Sequence, residues 1–146
     1  MANIPDPSQN IQDIIRANKE YVRNFPPHDR DLPAAPSRGL LIVTCMDARF
    51  HPTSALGLAL GSTHIVRNAG GSAEEAVRSI IVSQQALQTD EVLLIKHTDC
   101  GMYPLGWDIE QEVLRDVKLL KGHPGVSGDI TGWIYDVRTG AIRRII

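Results

Sequence analysis

Two short clusters carry the groups in this chain that can do chemistry. Cys45, Asp47 and Arg49 stand in Thr44-Cys45-Met46-Asp47-Ala48-Arg49, and His97 and Cys100 stand in His97-Thr98-Asp99-Cys100. Thiolate sulfur and imidazole nitrogen are the donors a tetrahedral zinc ion prefers, and three protein ligands leave a fourth position for water. A carboxylate two residues and a guanidinium four residues past the first cysteine add an acid–base group and its electrostatic partner. The pattern reads as a catalytic metal site. Two alternatives stay open at this level. The chain has only 2 cysteines, and they could form a redox pair or be two inert core thiols.

Composition narrows the class. A net charge of −2 over 146 residues gives no basic stripe, so nucleic acid is not an expected partner. No apolar stretch approaches the roughly 20 residues that span a bilayer, so no membrane is expected either. The first residues lack the apolar core of a signal peptide, and Asp13 and Glu20 argue against a transit peptide. The expectation is a soluble cytoplasmic protein acting on a small molecule.

The elements that must position the two clusters can be read from periodicity. Ser8 is a candidate helix cap, and Ile11, Ile14, Ile15, Tyr21, Val22 and Phe25 follow at helical spacing. Residues 26–39 hold four prolines and a glycine, which makes them a linker. Residues 1–37 thus read as a helical arm with a proline-rich linker, and 38–146 as the main domain. Leu40-Leu41-Ile42-Val43 and Val92-Leu93-Leu94-Ile95 are unbroken apolar runs. Such runs fit strands buried on both faces, as in a parallel sheet covered by helices.

Between those runs the spacing predicts a short helix over Thr53–Leu60, closed by Gly61. A strand is expected over His64–Arg67, then a turn at Asn68-Ala69-Gly70-Gly71. Ser72 with Glu75 would form a capping box opening a long helix. Asp108 would cap another helix ending at Gly122, and Thr131–Val137 with Ala141–Ile146 would form a closing hairpin. Alternating strands and helices give an α/β fold. Right-handed crossovers predict a mainly parallel sheet, order 2-1-3-4 with an antiparallel C-terminal edge strand, flanked by helices. Strands one and three are then neighbours, and both clusters leave their C-terminal ends, where open α/β sheets place their chemistry.

The ordered set Cys45-x-Asp47-x-Arg49, Val66-Arg67-Asn68-Ala69-Gly70-Gly71 and His97-x-x-Cys100-Gly101 resembles the β-class carbonic anhydrases. The stretch Gly132-Trp133-Ile134-Tyr135-Asp136-Val137-Arg138-Thr139-Gly140 resembles the closing hairpin of that family. The resemblance covers about residues 38–140.

It implies one zinc ion per chain held by Cys45, His97 and Cys100, and hydration of carbon dioxide to bicarbonate by zinc-bound hydroxide. It implies that Asp47 accepts a hydrogen bond from the zinc-bound water and is held by Arg49. Were that pair to break, Asp47 would become a fourth ligand in a closed state. The Gly101 N–H would bind a substrate oxygen, and Gly70 and Gly71 would permit close backbone approach beside the metal, or simply form a turn. A homodimer or larger homo-oligomer is implied, with the substrate channel at the subunit interface.

Two positions depart from plant-type members, whose channel is lined by aromatic side chains. By alignment they correspond to His64 and Val82, which points to a channel of different shape and polarity. The superfamily also includes carbonyl sulfide and carbon disulfide hydrolases, which share the fold and the ligands. A hydrolase releasing hydrogen sulfide is therefore the alternative activity, and a non-catalytic zinc or bicarbonate sensor a second one. His51 reads as a solvated loop histidine, with proton transfer the other reading. Trp107 and Trp133 read as packing residues.

Overall fold

The structure is a computed structural model that describes residues 6–146. Residues 1–5 lie outside the described residues. Two compact units divide between Leu32 and Pro33.

The first unit is built on α1 (Gln9–Arg23) and a 3-10 turn at Pro27–Asp29. None of the residues of α1 is buried. Ile11, Ile14, Ile15, Tyr21 and Val22 are exposed, while Asp13–Arg16 and Glu20–Arg23 pair along the helix. Ser8 precedes the helix but makes no side-chain capping bond.

The second unit is a five-stranded sheet in the order β2-β1-β3-β4-β5. Its strands are β1 (Leu40–Cys45), β2 (Thr63–Asn68), β3 (Glu91–His97), β4 (Asp129–Tyr135) and β5 (Ile142–Arg144). The first four run parallel and β5 returns antiparallel to β4, as the crossover rule predicts. Every residue of β1 is buried, whereas the edge strand β2 is half-buried throughout.

Alternation along β1 and β3 sorts the core into two layers. Leu41, Val43, Val92 and Leu94 meet α3 (Ala73–Leu87) and α4 (Ile109–Gly122) through Ala76, Ile80, Val113, Val117 and Leu120. Leu40, Ile42 and Ile95 face the other way, against Phe50, Tyr135, Leu56 and Leu58. The Phe50 and Tyr135 rings stack there at 4.0 Å. Gly132 on β4 lets α4 settle on the sheet, because a Cβ at that position would collide with Val113 and Val117.

Three details differ from expectation. The helix anticipated over Thr53–Leu60 is the single turn α2 (Pro52–Ala55), since Gly57 adopts φ +62° and ends it. β4 starts at Asp129, two residues before the predicted Thr131. The capping box at Ser72 is only half formed. Ser72 Oγ accepts from the Glu75 N–H at 3.3 Å, but the Ser72 N–H donates to Asn68 Oδ1 at 2.6 Å. Asp108 does cap α4, accepting from the N–H groups of Glu110 and Gln111.

Candidate metal centre

Cys45 and His97 are the last residues of β1 and β3, two strands paired directly in the sheet. Both therefore emerge on one edge, and the turn after His97 brings Cys100 back beside them. The Cys45 and Cys100 sulfurs lie 3.9 Å apart as free thiols. One donor atom from each of Cys45, His97 and Cys100 falls within 4.8 Å of the others. A tetrahedral ion with bonds of ~2.3 Å to sulfur needs its two sulfurs about 3.8 Å apart, so the spacing fits.

The histidine shows what the cluster is suited to hold. His97 is 1% exposed. Its Nδ1 lies 2.8 Å from the Thr98 carbonyl, which can only accept, so Nδ1 carries the proton. The Nε2 lone pair is left buried with no hydrogen-bond partner. Such an orphan is costly unless something binds it, and a backbone carbonyl on the other nitrogen is the arrangement metal-binding histidines use. Burial pushes the Cys100 thiol up, and the nearby Cys45 sulfur adds to this. A cation that stabilises two thiolates would relieve both problems, so the residues present fit a zinc-type ion.

Asp47 and Arg49 form a fork-to-fork pair. Arg49 donates from Nε to Asp47 Oδ1 at 3.0 Å and from a terminal nitrogen to Oδ2 at 2.8 Å. The Arg49 backbone N–H adds a third bond to Oδ1 at 2.8 Å. Together these hold the Asp47 carboxyl well below the usual carboxylate range. Asp47 Oδ2 stands 3.8 Å from His97 Nε2, at the mouth of the donor cluster. A pocket of about 410 Å³ opens over it, lined by Cys45, Met46, Asp47, Ala48, Arg49, Cys100, Gly101 and Met102.

Two supports were not anticipated. Asp99 anchors the far side of Arg49, accepting at 2.8 Å through its carboxylate and again through its carbonyl. Arg67, on β2, donates to the Cys45 carbonyl at 2.9 Å and the Asp47 carbonyl at 2.7 Å. Arg67 is in register with Thr44, and a strand-end arginine beside the cysteine cluster was the available signal.

Other expected site residues lie elsewhere. Gly70 and Gly71 adopt φ of +70° and +61° and do not line the pocket. Gly71 instead packs on the backbone of Thr44 and Cys45, where a Cβ would come within 3.0 Å. A Cβ at Gly70 would instead meet the Tyr103 ring and hydroxyl.

His64 and Val82 are also outside the pocket. They line a separate cleft of about 320 Å³ between β2 and α3. His64 is in register with Leu41, four residues upstream of Cys45, or about 13 Å along the strand. Within one chain neither residue reaches the metal centre. His51 is exposed in the loop before α2. Trp107 stacks on Tyr103 at 5.8 Å, and Trp133 donates to Thr131 Oγ1.

Comparison with known proteins agrees with this geometry. A family model described as carbonic anhydrase matches residues 40–122, more than half of the chain. Beta-carbonic anhydrase 1 of Mycobacterium tuberculosis is 30% identical, over 91% of this chain and 96% of its own length. A carbon disulfide hydrolase of an Acidianus species is 28% identical, over 74% of this chain and 78% of its own. The solved carbonic anhydrase of Glaciozyma antarctica superimposes with a TM-score of 0.88 at 35% identity, covering 96% of this chain and all of that one. Among the described residues, no helix is long and apolar enough to cross a membrane.

Proposed function

Because this chain belongs to the β-class carbonic anhydrase family, we propose that it catalyses the reversible hydration of carbon dioxide to bicarbonate and a proton at the Cys45–His97–Cys100 cluster. The observation that carries the reading is the buried, unpartnered Nε2 of His97 among two free thiols, with a carboxylate at the cluster's mouth. A zinc ion held by Cys45, His97 and Cys100 would supply Lewis acidity, making water acidic enough to serve as a nucleophile near neutral pH.

Asp47 then has a definite task. Its carboxylate stays ionised at neutral pH and can only accept a hydrogen bond, so it orients the O–H of the attacking water and aims a lone pair at carbon. Arg49 keeps both Asp47 oxygens engaged on the guanidinium side, which holds the carboxylate turned toward Arg49 instead of into the donor cluster. Asp99 and Arg67 fix Arg49 and the Cys45–Asp47 backbone in turn. The Gly101 N–H, in the pocket wall, receives a substrate oxygen. Three donors rather than four, with a pocket over the open side, favour turnover over a purely sensing role.

A second reading keeps the site and changes the substrate. Hydrolysis of carbonyl sulfide or carbon disulfide to hydrogen sulfide and carbon dioxide is supported by the relatives named carbon disulfide hydrolase. The exposed thioethers of Met46 and Met102 at the pocket also suit a sulfur-bearing substrate. Turnover of carbon dioxide and carbonyl sulfide by one metal-loaded preparation separates the two. Efficient carbonyl sulfide turnover with background carbon dioxide hydration would replace the first reading by the second.

Residues 1–37 serve as an arm that assembles the protein into a homodimer or larger oligomer. The support is the exposed apolar face of α1, together with solved relatives of this fold described as tetrameric in Sordaria macrospora. Light scattering of the Ile14→Glu variant checks this. A wild-type monomer at micromolar concentration would defeat it.

A further inference from the structure

Lys96 is 1% exposed, and its ammonium group is fully engaged. Nζ lies 2.7 Å from Asp116 Oδ2, 3.0 Å from the Gly71 carbonyl, 3.1 Å from the Tyr103 hydroxyl and 3.2 Å from the Gly70 carbonyl. An ammonium has three protons, so these acceptors satisfy it. Asp116 is itself 3% exposed and also accepts from the Ala73 N–H at the start of α3.

Each candidate metal ligand is one step from this hub. His97 is the next residue in β3. Gly71 packs directly against the backbone of Thr44 and Cys45. Tyr103 donates its backbone N–H to the Cys100 carbonyl at 3.2 Å, and its hydroxyl donates to the Gly70 carbonyl. A buried ion pair contributes little net stability compared with apolar groups of the same volume. Its suited property is geometric, because one small cation fixes three segments at set distances.

We propose that Lys96 is a positioning residue for the metal centre: its buried ammonium brackets the Gly70–Gly71 turn, the Tyr103 loop and Asp116 of α4, and so holds the Cys45 and Cys100 sulfurs at ligating distance around His97. This rests on the reading that those three residues hold a metal.

Cobalt(II) titrated into the metal-free full-length protein tests it, with the thiolate-to-cobalt charge-transfer band as readout. The wild type should show the band. Its absence there would defeat the metal reading itself, and this inference with it. The double variant Lys96→Met/Asp116→Asn removes both charges, so no uncompensated ion remains in the core. It should still fold, with a lowered metal-free melting temperature because the buried Gly71 carbonyl loses its donor, and bind cobalt about 10–100-fold more weakly and with a shifted band. A purely structural role would move the melting temperature and leave the spectrum alone. Unchanged affinity and spectrum in the folded double variant would overturn the proposal. Should that variant fail to fold, Tyr103→Phe decides, since it keeps the ion pair and removes one hydroxyl. Weaker cobalt binding supports the bracket, and wild-type binding overturns it.

Discussion

His64 and His97 sit on β2 and β3, either side of β1, and their surroundings are opposite. His64 has both ring nitrogens engaged, Nδ1 with Ser83 Oγ at 2.7 Å and Nε2 with the Ala34 carbonyl at 3.0 Å. His97 has one nitrogen on a carbonyl and the other left bare beside two thiols. The first ring closes a hydrogen-bond chain that continues from Ser83 to Thr89. The second holds a lone pair in reserve. A histidine on a sheet strand thus indicates a ligand site only where the fold withholds a partner from it.

The comparison breaks most readily at the metal. His97→Gln and Cys45→Ser should each lose most bound zinc and nearly all turnover. His64→Ala should keep zinc at about one ion per chain and lose on the order of 1–2 kcal/mol of stability through its two hydrogen bonds. Elemental analysis and thermal melts read both. Full zinc occupancy in His97→Gln would end the assignment.

Within the metal region the acid–base pair gives the next largest effect. Asp47→Asn should retain zinc and lower turnover about 10²–10⁴-fold, the usual reach of a positioned acid–base group. Arg49→Ala should cost about 10–100-fold, as a partner that orients through another residue. Stopped-flow hydration assays with metal analysis measure these. Wild-type rates in Arg49→Ala would reduce the pair to a structural ion pair.

The pH response follows from the sign of the Asp47 shift. Its carboxyl is lowered from an ordinary 3.8, first by the Arg49 side-chain hydrogen bonds and then by the Arg49 N–H. The pair's contribution is therefore complete above about pH 4. It disappears only as the pH falls through the lower folded value. Carboxyl-carbon NMR of the metal-free protein should show no Asp47 inflection between pH 5 and 8, and Arg49→Ala should move its titration upward. A wild-type inflection above pH 4 would contradict this.

The smallest effect belongs to the cleft. Val82→Phe should leave zinc content unchanged and shift the ratio of carbon dioxide to carbonyl sulfide turnover by about tenfold, the low end for a pocket change of this kind. Because the cleft and the pocket are separate within one chain, that shift requires a second copy whose cleft faces the pocket. An unaltered ratio would remove both Val82 and His64 from the substrate channel.

Sheet order and the meeting of Cys45, His97 and Cys100 were legible because each depends on local pattern. Apolar runs mark buried strands, crossover handedness sets their order, and residues ending neighbouring parallel strands must share an edge. The Asp47–Arg49 fork was legible for the same reason, its members standing two residues apart. Shorter features failed where a single backbone angle decided them, as at Gly57, or where a rival acceptor intervened, as Asn68 Oδ1 did at the Ser72 N–H.

The buried Lys96–Asp116 pair left only a phase signal. Lys96 continues an apolar strand, and Asp116 falls on the helical face of Val113, Val117 and Leu120. Periodicity gives the face on which a side chain lies, so the residue types, their order and their strand ends were determined by sequence alone. Which nitrogen of His97 stays free, which carbonyls surround Lys96, and how far His64 lies from the metal centre were decided by the tertiary structure. Those outcomes depend on register and loop closure between segments distant in the chain, where a shift of one residue exchanges one set of partners for another.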